Sequence, residues 1–265
     1  MIDTTLRRGL LSALFWLLVP PAFLFAQYWA PDTPSNVVEL ENSIRVFADI
    51  DKWDPMVDVT WRFQDDDFQF RYRALTLGSY YRVHENVKVG AFYRLQGGVW
   101  HDDDWVEIGN TDEWEWEDTN DRYESVLIGD VSPRFQIPQI PGENWVLMVK
   151  NRYFANLYNG DQTYLVRPGL TYFWIVDREP VINATLAYGL YFSLNYGDTA
   201  TYKSALYLSG LYHIDETWKA ELGIARERVT WSASEEALAA SSSWDYVKEY
   251  RPWVVSLRAI VMLDF

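Results

Sequence analysis

Residues 181–196, VINATLAYGLYFSLNY, restrict the fold more than any other stretch of this chain. Ile182, Ala184, Leu186, Tyr188, Leu190, Phe192, Leu194 and Tyr196 fall on even positions, with Asn183, Thr185, Ala187, Gly189, Ser193 and Asn195 between them. Successive side chains of a β-strand point to opposite sides, so this run is a strand with one apolar face. Its length exceeds the roughly 5–6 residues of a usual soluble strand. It suits a tilted crossing of a membrane, which needs about 9–11.

The pattern recurs along the chain. At 163–177, Tyr164, Val166, Leu170, Tyr172 and Trp174 alternate with Arg167, Gly169 and Thr171. At 145–158, Trp145, Leu147, Val149 and Tyr153 oppose Met148, Lys150, Arg152 and Asn156. Further runs lie at 55–64, 68–83, 86–100, 122–137, 203–214, 218–233 and 247–265. Short links at 84–86, 139–144, 177–180 and 215–217 alternate with two long polar segments, 101–121 and 232–246. Counted back from the C-terminus, both long segments fall on the same side, as in barrels with short turns at one end and long loops at the other.

These runs predict an all-β fold: a single transmembrane antiparallel up-and-down β-barrel of ten strands over 55–265, with twelve as the alternative. A run at 37–50 would make eleven, and single-chain bacterial barrels have even counts. Residues 27–54 are therefore read as an N-terminal segment, either an extra strand or a plug. Pro133 and Pro168 fall inside strands, where each removes a ladder hydrogen bond, and bulges are expected there. A soluble lipocalin-like barrel or sandwich would place the other face in water. That face is rich in Gly, Ser, Thr and Asn, and its opposite is almost free of charge over seven or more strands.

Composition removes several classes. A formal charge of −15 argues against a nucleic-acid partner. Without cysteine there is no disulfide framework, thiol nucleophile or lipoprotein acyl site. The three histidines show no metal-ligand spacing, and no GxSxG or Gly-rich phosphate loop occurs, so no metal or cofactor is expected. Aromatic residues make up 17% of the chain, with 14 Trp and 18 Tyr, which favours a membrane–water boundary. Near-neutral mean hydropathy argues against membrane helices but fits alternating strands. Residues 1–26 carry Arg7 and Arg8, an apolar core and Ala26 before a polar residue, the pattern of a cleaved signal peptide.

The chain ends on a stripe of Trp253, Val255, Leu257, Ala259, Val261, Leu263 and Phe265. With the signal and the repeated amphipathic runs, this ending resembles bacterial outer-membrane β-barrel proteins over roughly residues 55–265. The resemblance implies a place in the outer membrane and contact with its lipid and lipopolysaccharide. It also implies that Phe265, Leu263 and Val261 form the signal read by the barrel-assembly machinery. The stretch KNRYFANLYNGDQTYLVRPGLTYF, residues 150–173, is more loosely similar to an uncharacterised family of Arg-rich outer-membrane barrels. The oligomeric state is left open.

Candidate function rests on charges that alternation points inward. Arg71, Arg73, Arg94, Arg152 and Arg167 would form a basic strip on four nearby strands. The facing wall offers Asn183, Thr185, Asn195, Ser209, Glu221 and Glu227. Unpaired arginines in a wet lumen would make a narrow passive pore for small, anionic solutes. If Glu124, Asp130 and Asp58 pair with them, the barrel is a non-conducting structural or surface-binding one. A barrel enzyme is the third reading. His101 beside Asp102, Asp103 and Asp104 is similar to omptin-type outer-membrane proteases, which use His and Asp at the barrel mouth. That family's separate aspartate pair and Asp-x-His pattern have no counterpart here, and no lipid-facing His and Ser pair stands out, so no enzyme is expected. His213 reads as structural, and the NAT sequon at 183–185 as chance. The acidic segment 101–121, with Trp105, Trp114 and Trp116, is either solvated or binds cations that bridge lipopolysaccharide.

Overall fold

A computed structural model describes residues 37–64, 70–99, 105–107, 109, 114–116, 122–137, 144–196, 201–231, 239 and 248–264. In chain order the strands begin with β1 (Val38–Asp49), β2 (Trp53–Gln64), β3 (Phe70–His84) and β4 (Val87–Gly97). Two short ones follow, β5 (Trp105–Glu107) and β6 (Trp114–Trp116). Then come β7 (Tyr123–Gln136), β8 (Trp145–Asn156), β9 (Gln162–Val176), β10 (Glu179–Ser193), β11 (Thr201–His213) and β12 (Trp218–Trp231). The last are β13 (Lys248–Tyr250) and β14 (Trp253–Asp264). Among the described residues, β5 and β6 pair only with each other, in the β4–β7 connection. β13 and β14 both pair with β12 in one continuous register, interrupted at Pro252, which has no N–H. The Pro252 carbonyl still accepts from the Glu227 N–H at 3.1 Å, so β13 is the upper end of β14.

The wall is a closed barrel of eleven strands. Neighbours pair antiparallel from β1 round to β14, and the barrel closes where β14 meets β1 in parallel, with 38–49 alongside 253–264. This corrects the expected count of ten or twelve. An up-and-down meander with an even count closes through an antiparallel pair, whereas an odd count leaves first and last strands running the same way. Residues 38–49, left between extra strand and plug, are therefore the strand that closes the wall. They qualify on their own pattern, with Leu40, Ile44 and Val46 outward and Glu39, Glu41, Ser43 and Arg45 inward. Outside the seam, Ile44, Leu257 and Ala259 pack with Trp61 and Phe63 of β2.

The bulges also differ from expectation. Val87 pairs with Pro133, and the β7–β8 register runs through Pro133 without a shift. Pro168 pairs with Val149 and likewise keeps register with β10 on its other side. Each proline skips a hydrogen bond but inserts no residue. Register shifts occur instead at Arg62/Phe63, Arg82/His84, Pro180/Ile182 and Tyr191/Phe192, all near strand ends.

The connections sort by end. The strand ends joined through 50–52, 85–86, 137–144, 177–178 and 214–217 lie at one end, with Asp51, Asp177 and Arg178 at positive φ. The strand ends that lead into and out of 98–122 and 232–247 lie together at the other end, as the parity of the sequence implied.

The outer surface is apolar and uncovered. Leu222, Leu208 and Leu186 are 62%, 55% and 52% exposed, with Leu127, Val131, Val57, Val59, Leu75 and Leu77 in the same state. Among the described residues, charged residues at outward positions lie towards the strand ends: Glu179 opposite Val176 at the short-turn end, and Glu249 opposite Thr230, with Arg73, Arg226 and Arg228, towards the long-loop end. Aromatic side chains ring the short-turn end: Trp53 against Tyr81 at 4.7 Å, Trp145 against Tyr172 at 4.9 Å, then Trp174 and Trp218. Soluble monomers seldom expose contiguous apolar patches beyond a few hundred Å².

Candidate functional site: the charged lumen

The inner face supplies what the outer face lacks. Eleven strands enclose more space than the eight that side chains can just fill, and a cavity of about 620 Å³ runs through the interior. Its lining extends from Asp161, Thr163 and Tyr250 near the long-loop end to Met148, Thr185 and Glu221 deeper in. One side of the lumen is packed instead. Met56, Phe92, Val126 and Ile128 form a buried apolar cluster with Phe47, Tyr80 and Phe154 against it. Gly90 makes room for that cluster: a Cβ there would fall 2.5 Å from the Phe92 ring and 2.8 Å from Tyr80.

Charges beside the β1–β14 seam are paired. Arg62 donates to Glu39 at 2.9 Å, Glu41 at 2.6 Å and Glu227 at 3.3 Å. Glu39, fully buried, also accepts from the Tyr250 hydroxyl at 2.6 Å. Lys203 donates to Glu227 at 2.8 Å, Arg258 to Glu221 at 2.8 Å and to Ser43 at 2.8 Å, and Arg45 to Asp58 at 2.7 Å. Buried carboxylates are tolerated here because each has a cation and a further donor.

The β8–β9 wall differs. Arg152 donates to Asp130 and to the Tyr80 hydroxyl, and Ser132 also donates to Asp130. Lys150 and Arg167 both line the cavity, and among the described residues neither has a carboxylate within ion-pair distance. Arg167 lies over the Tyr207 ring at 5.1 Å. Arg94 donates to Thr76 at 3.1 Å and stands 6.0 Å from the Phe154 ring.

Of the five arginines read from the sequence, Arg94, Arg152 and Arg167 line the cavity. Arg73 does not. Its strand turns Tyr72, Ala74 and Thr76 inward, so Arg73 shares the outward face with Leu75 and Leu77 and stacks on exposed Tyr123 at 4.7 Å. Arg71 lies on the β3 backbone next to the register shift, and its side chain is outside the described residues. Glu124 is buried and inward, accepting from Gln96 at 3.3 Å and Asn156 at 3.0 Å. Asp130 forms an ion pair with Arg152.

On the facing wall, Thr185, Ser209, Glu221 and Glu227 line the cavity. Asn183 pairs with His213 at 3.0 Å towards the short-turn end, and Asn195 accepts from the Gln162 N–H at 2.7 Å in a loop contact. Sequence reasoning left Arg45, Arg62, Lys203, Arg258, Glu39 and Glu41 out of the site. The signal for the β1 and β2 members was present in their alternation with Ile44, Val46, Val57 and Val59, once 37–50 is admitted as a strand. Val261 and Leu263 stand on the outward face of β14, while Phe265, residues 1–26 with their expected signal, His101 and Asp102–Asp104 lie outside the described residues. No family model matches the chain, and neither a curated protein nor a solved structure matches it.

Proposed function

We propose that this chain is a bacterial outer-membrane β-barrel, exported through a cleaved leader at 1–26, whose narrow lumen passes small anionic solutes. The observation that carries the reading is the inversion of the two faces: a closed wall with Leu186, Leu208 and Leu222 exposed outside and Arg45, Arg62, Lys150 and Arg167 around a cavity inside. A soluble barrel would have the reverse arrangement. Lipid and lipopolysaccharide are the partners of the outer belt, and the Val261, Leu263 and Phe265 stripe is the assembly signal in this reading. Selectivity is set where dielectric is low and screening incomplete, so the lumen cations outweigh the acidic loops, which lie in salt with a Debye length of about 8 Å.

Reversal potentials across a planar bilayer in a KCl gradient test the reading. The refolded barrel is expected to favour chloride, and Arg94→Ala combined with Arg167→Gln to move the potential towards potassium. A cation preference that those substitutions leave unchanged contradicts it. The apolar cluster around Phe92, which fills one side of the lumen, favours a second reading: a barrel that binds solutes without conducting. A folded protein that gives no conductance steps supports that second reading.

A further inference from the structure

Cations and carboxylates in this lumen face each other across strands. Arg45 stands opposite Asp58, Arg62 opposite Glu41, Arg152 opposite Asp130 and Arg258 opposite Glu221. Lys150 breaks the rule, because its cross-strand partner is Arg167. Directly opposed Cβ atoms lie about 4.5–5.5 Å apart, and like charges there repel. The other charges acting on Lys150 add to the imbalance: Arg152 and Arg45 stand against Asp130. Asp130 is already engaged by Arg152 and Ser132, and Asp58 by Arg45 and Thr60.

The molecule shows elsewhere how it resolves such a pair. Near the short-turn end, Arg82 also stands opposite a lysine, Lys88. There the inward carboxylate of Asp54 bridges them, with one oxygen 3.5 Å from Arg82 and the other bonded to Lys88. Glu227 likewise joins Arg62 to Lys203. Lys150 and Arg167 have the same cross-strand opposition and, among the described residues, no bridging carboxylate, and they open onto the cavity. Beside them, on β10 and β11, the lining is small and neutral, with Ala187, Thr185 and Ser209, which leaves room for a guest.

We propose that Lys150 and Arg167 form a binding site for a compact dianionic oxyanion, of which inorganic phosphate at neutral pH is the simplest. Two of its oxygens take the places that the Asp54 carboxylate fills between Arg82 and Lys88. Guanidinium presents a planar fork to one side and the ammonium a point charge to the other, a combination that suits phosphate, sulfate or a dicarboxylate. Two uncompensated positive charges select a dianion over chloride or acetate. This deepens the anion reading of the lumen, resting on its being wet and not on its conducting.

The test is a calorimetric titration of inorganic phosphate into the refolded barrel in neutral detergent at constant ionic strength, with thermal unfolding run in parallel. Wild type is expected to bind phosphate and to unfold at higher temperature in its presence, with nitrate doing neither. Lys150→Gln should remain folded, be at least as heat-stable without phosphate because a repulsion is gone, and bind phosphate about tenfold or more weakly. Arg167→Gln should behave the same way. Wild type that does not bind phosphate, or variants that bind and are stabilised as wild type is, overturn the site. A non-conducting barrel that still binds phosphate through Lys150 upholds the site and removes only the pore. An anion-selective pore with phosphate affinity unchanged by both substitutions removes only the site.

Discussion

Among the described residues, Arg62 at the seam reaches three carboxylates, Glu39, Glu41 and Glu227, whereas on β8–β9 Arg167 reaches none and rests on the face of Tyr207. Both arginines line the same cavity. The difference follows from what each wall must do. A parallel pair is slightly weaker per residue than an antiparallel one, and the seam joins strands at opposite ends of the sequence. Links such as Tyr250 to Glu39 and Arg258 to Ser43 therefore tie β14 and its extension directly to β1. The β8–β9 hairpin is closed by the local connection at 157–161 and needs no such ties. Its charges are left for something other than holding the wall together. Charge at the seam is structural, and charge on the facing wall is available.

The sharpest way to break this contrast is to remove the same charge from both walls. Arg62→Ala leaves Glu39, Glu41 and Glu227 without their shared cation, and Glu39 has no access to solvent. Breaking a buried pair in this way costs about 3–5 kcal/mol. Urea unfolding in detergent should show the loss, and heat-modifiable gel mobility should show a smaller folded fraction. A variant as stable as wild type would mean the seam network is not structural. Glu227→Gln should have an intermediate effect, about 1.5–3 kcal/mol, because Arg62 keeps two acids while Lys203 loses its carboxylate. Arg167→Gln should have the smallest effect and the opposite sign, a gain within about 0.2–1 kcal/mol as the repulsion with Lys150 disappears. A loss of several kcal/mol there would show that Arg167 is as structural as Arg62.

The two walls were also unequally legible in the sequence. On β8 and β9 alternation is strict, so the inward side chains at 148, 150, 152, 167 and 169 follow from residue spacing alone, and the structure places them in the cavity lining. Arg73 shows the opposite case. Run 68–83 begins with Phe68, Phe70, Tyr72 and Ala74 on one parity and Gln69, Arg71 and Arg73 on the other, which suggested an inward face for the arginines. Leu75 and Leu77, on the same parity and exposed to the outside, were the better guide. The seam was hidden for a different reason. Residues 37–50 have an adequate strand pattern, but the expectation of an even count set them aside, and with them Glu39, Glu41 and Arg45. Parallel closure between the first strand and the last leaves no local mark, because their partnership is set by the number of strands between them. Lys150 was visible as inward, but its opposition to Arg167 depends on the register across 157–161, which spacing alone does not give.

Closure by β1 is the claim on which the rest depends, and cysteine cross-linking tests it most directly. The chain has no native cysteine, so an introduced pair has no competitor. Ile44 and Ala259 are register partners across the seam, and adjacent strands lie about 4.7–4.9 Å apart, within disulfide reach. Oxidation of the folded Ile44→Cys, Ala259→Cys variant should give an intramolecular cross-link that reductant reverses, while Val59→Cys with Ala259→Cys should give none. The reverse result, with Val59 linked to the last strand and Ile44 unlinked, would mean that β2 closes a ten-stranded barrel and that β1 is not part of the wall.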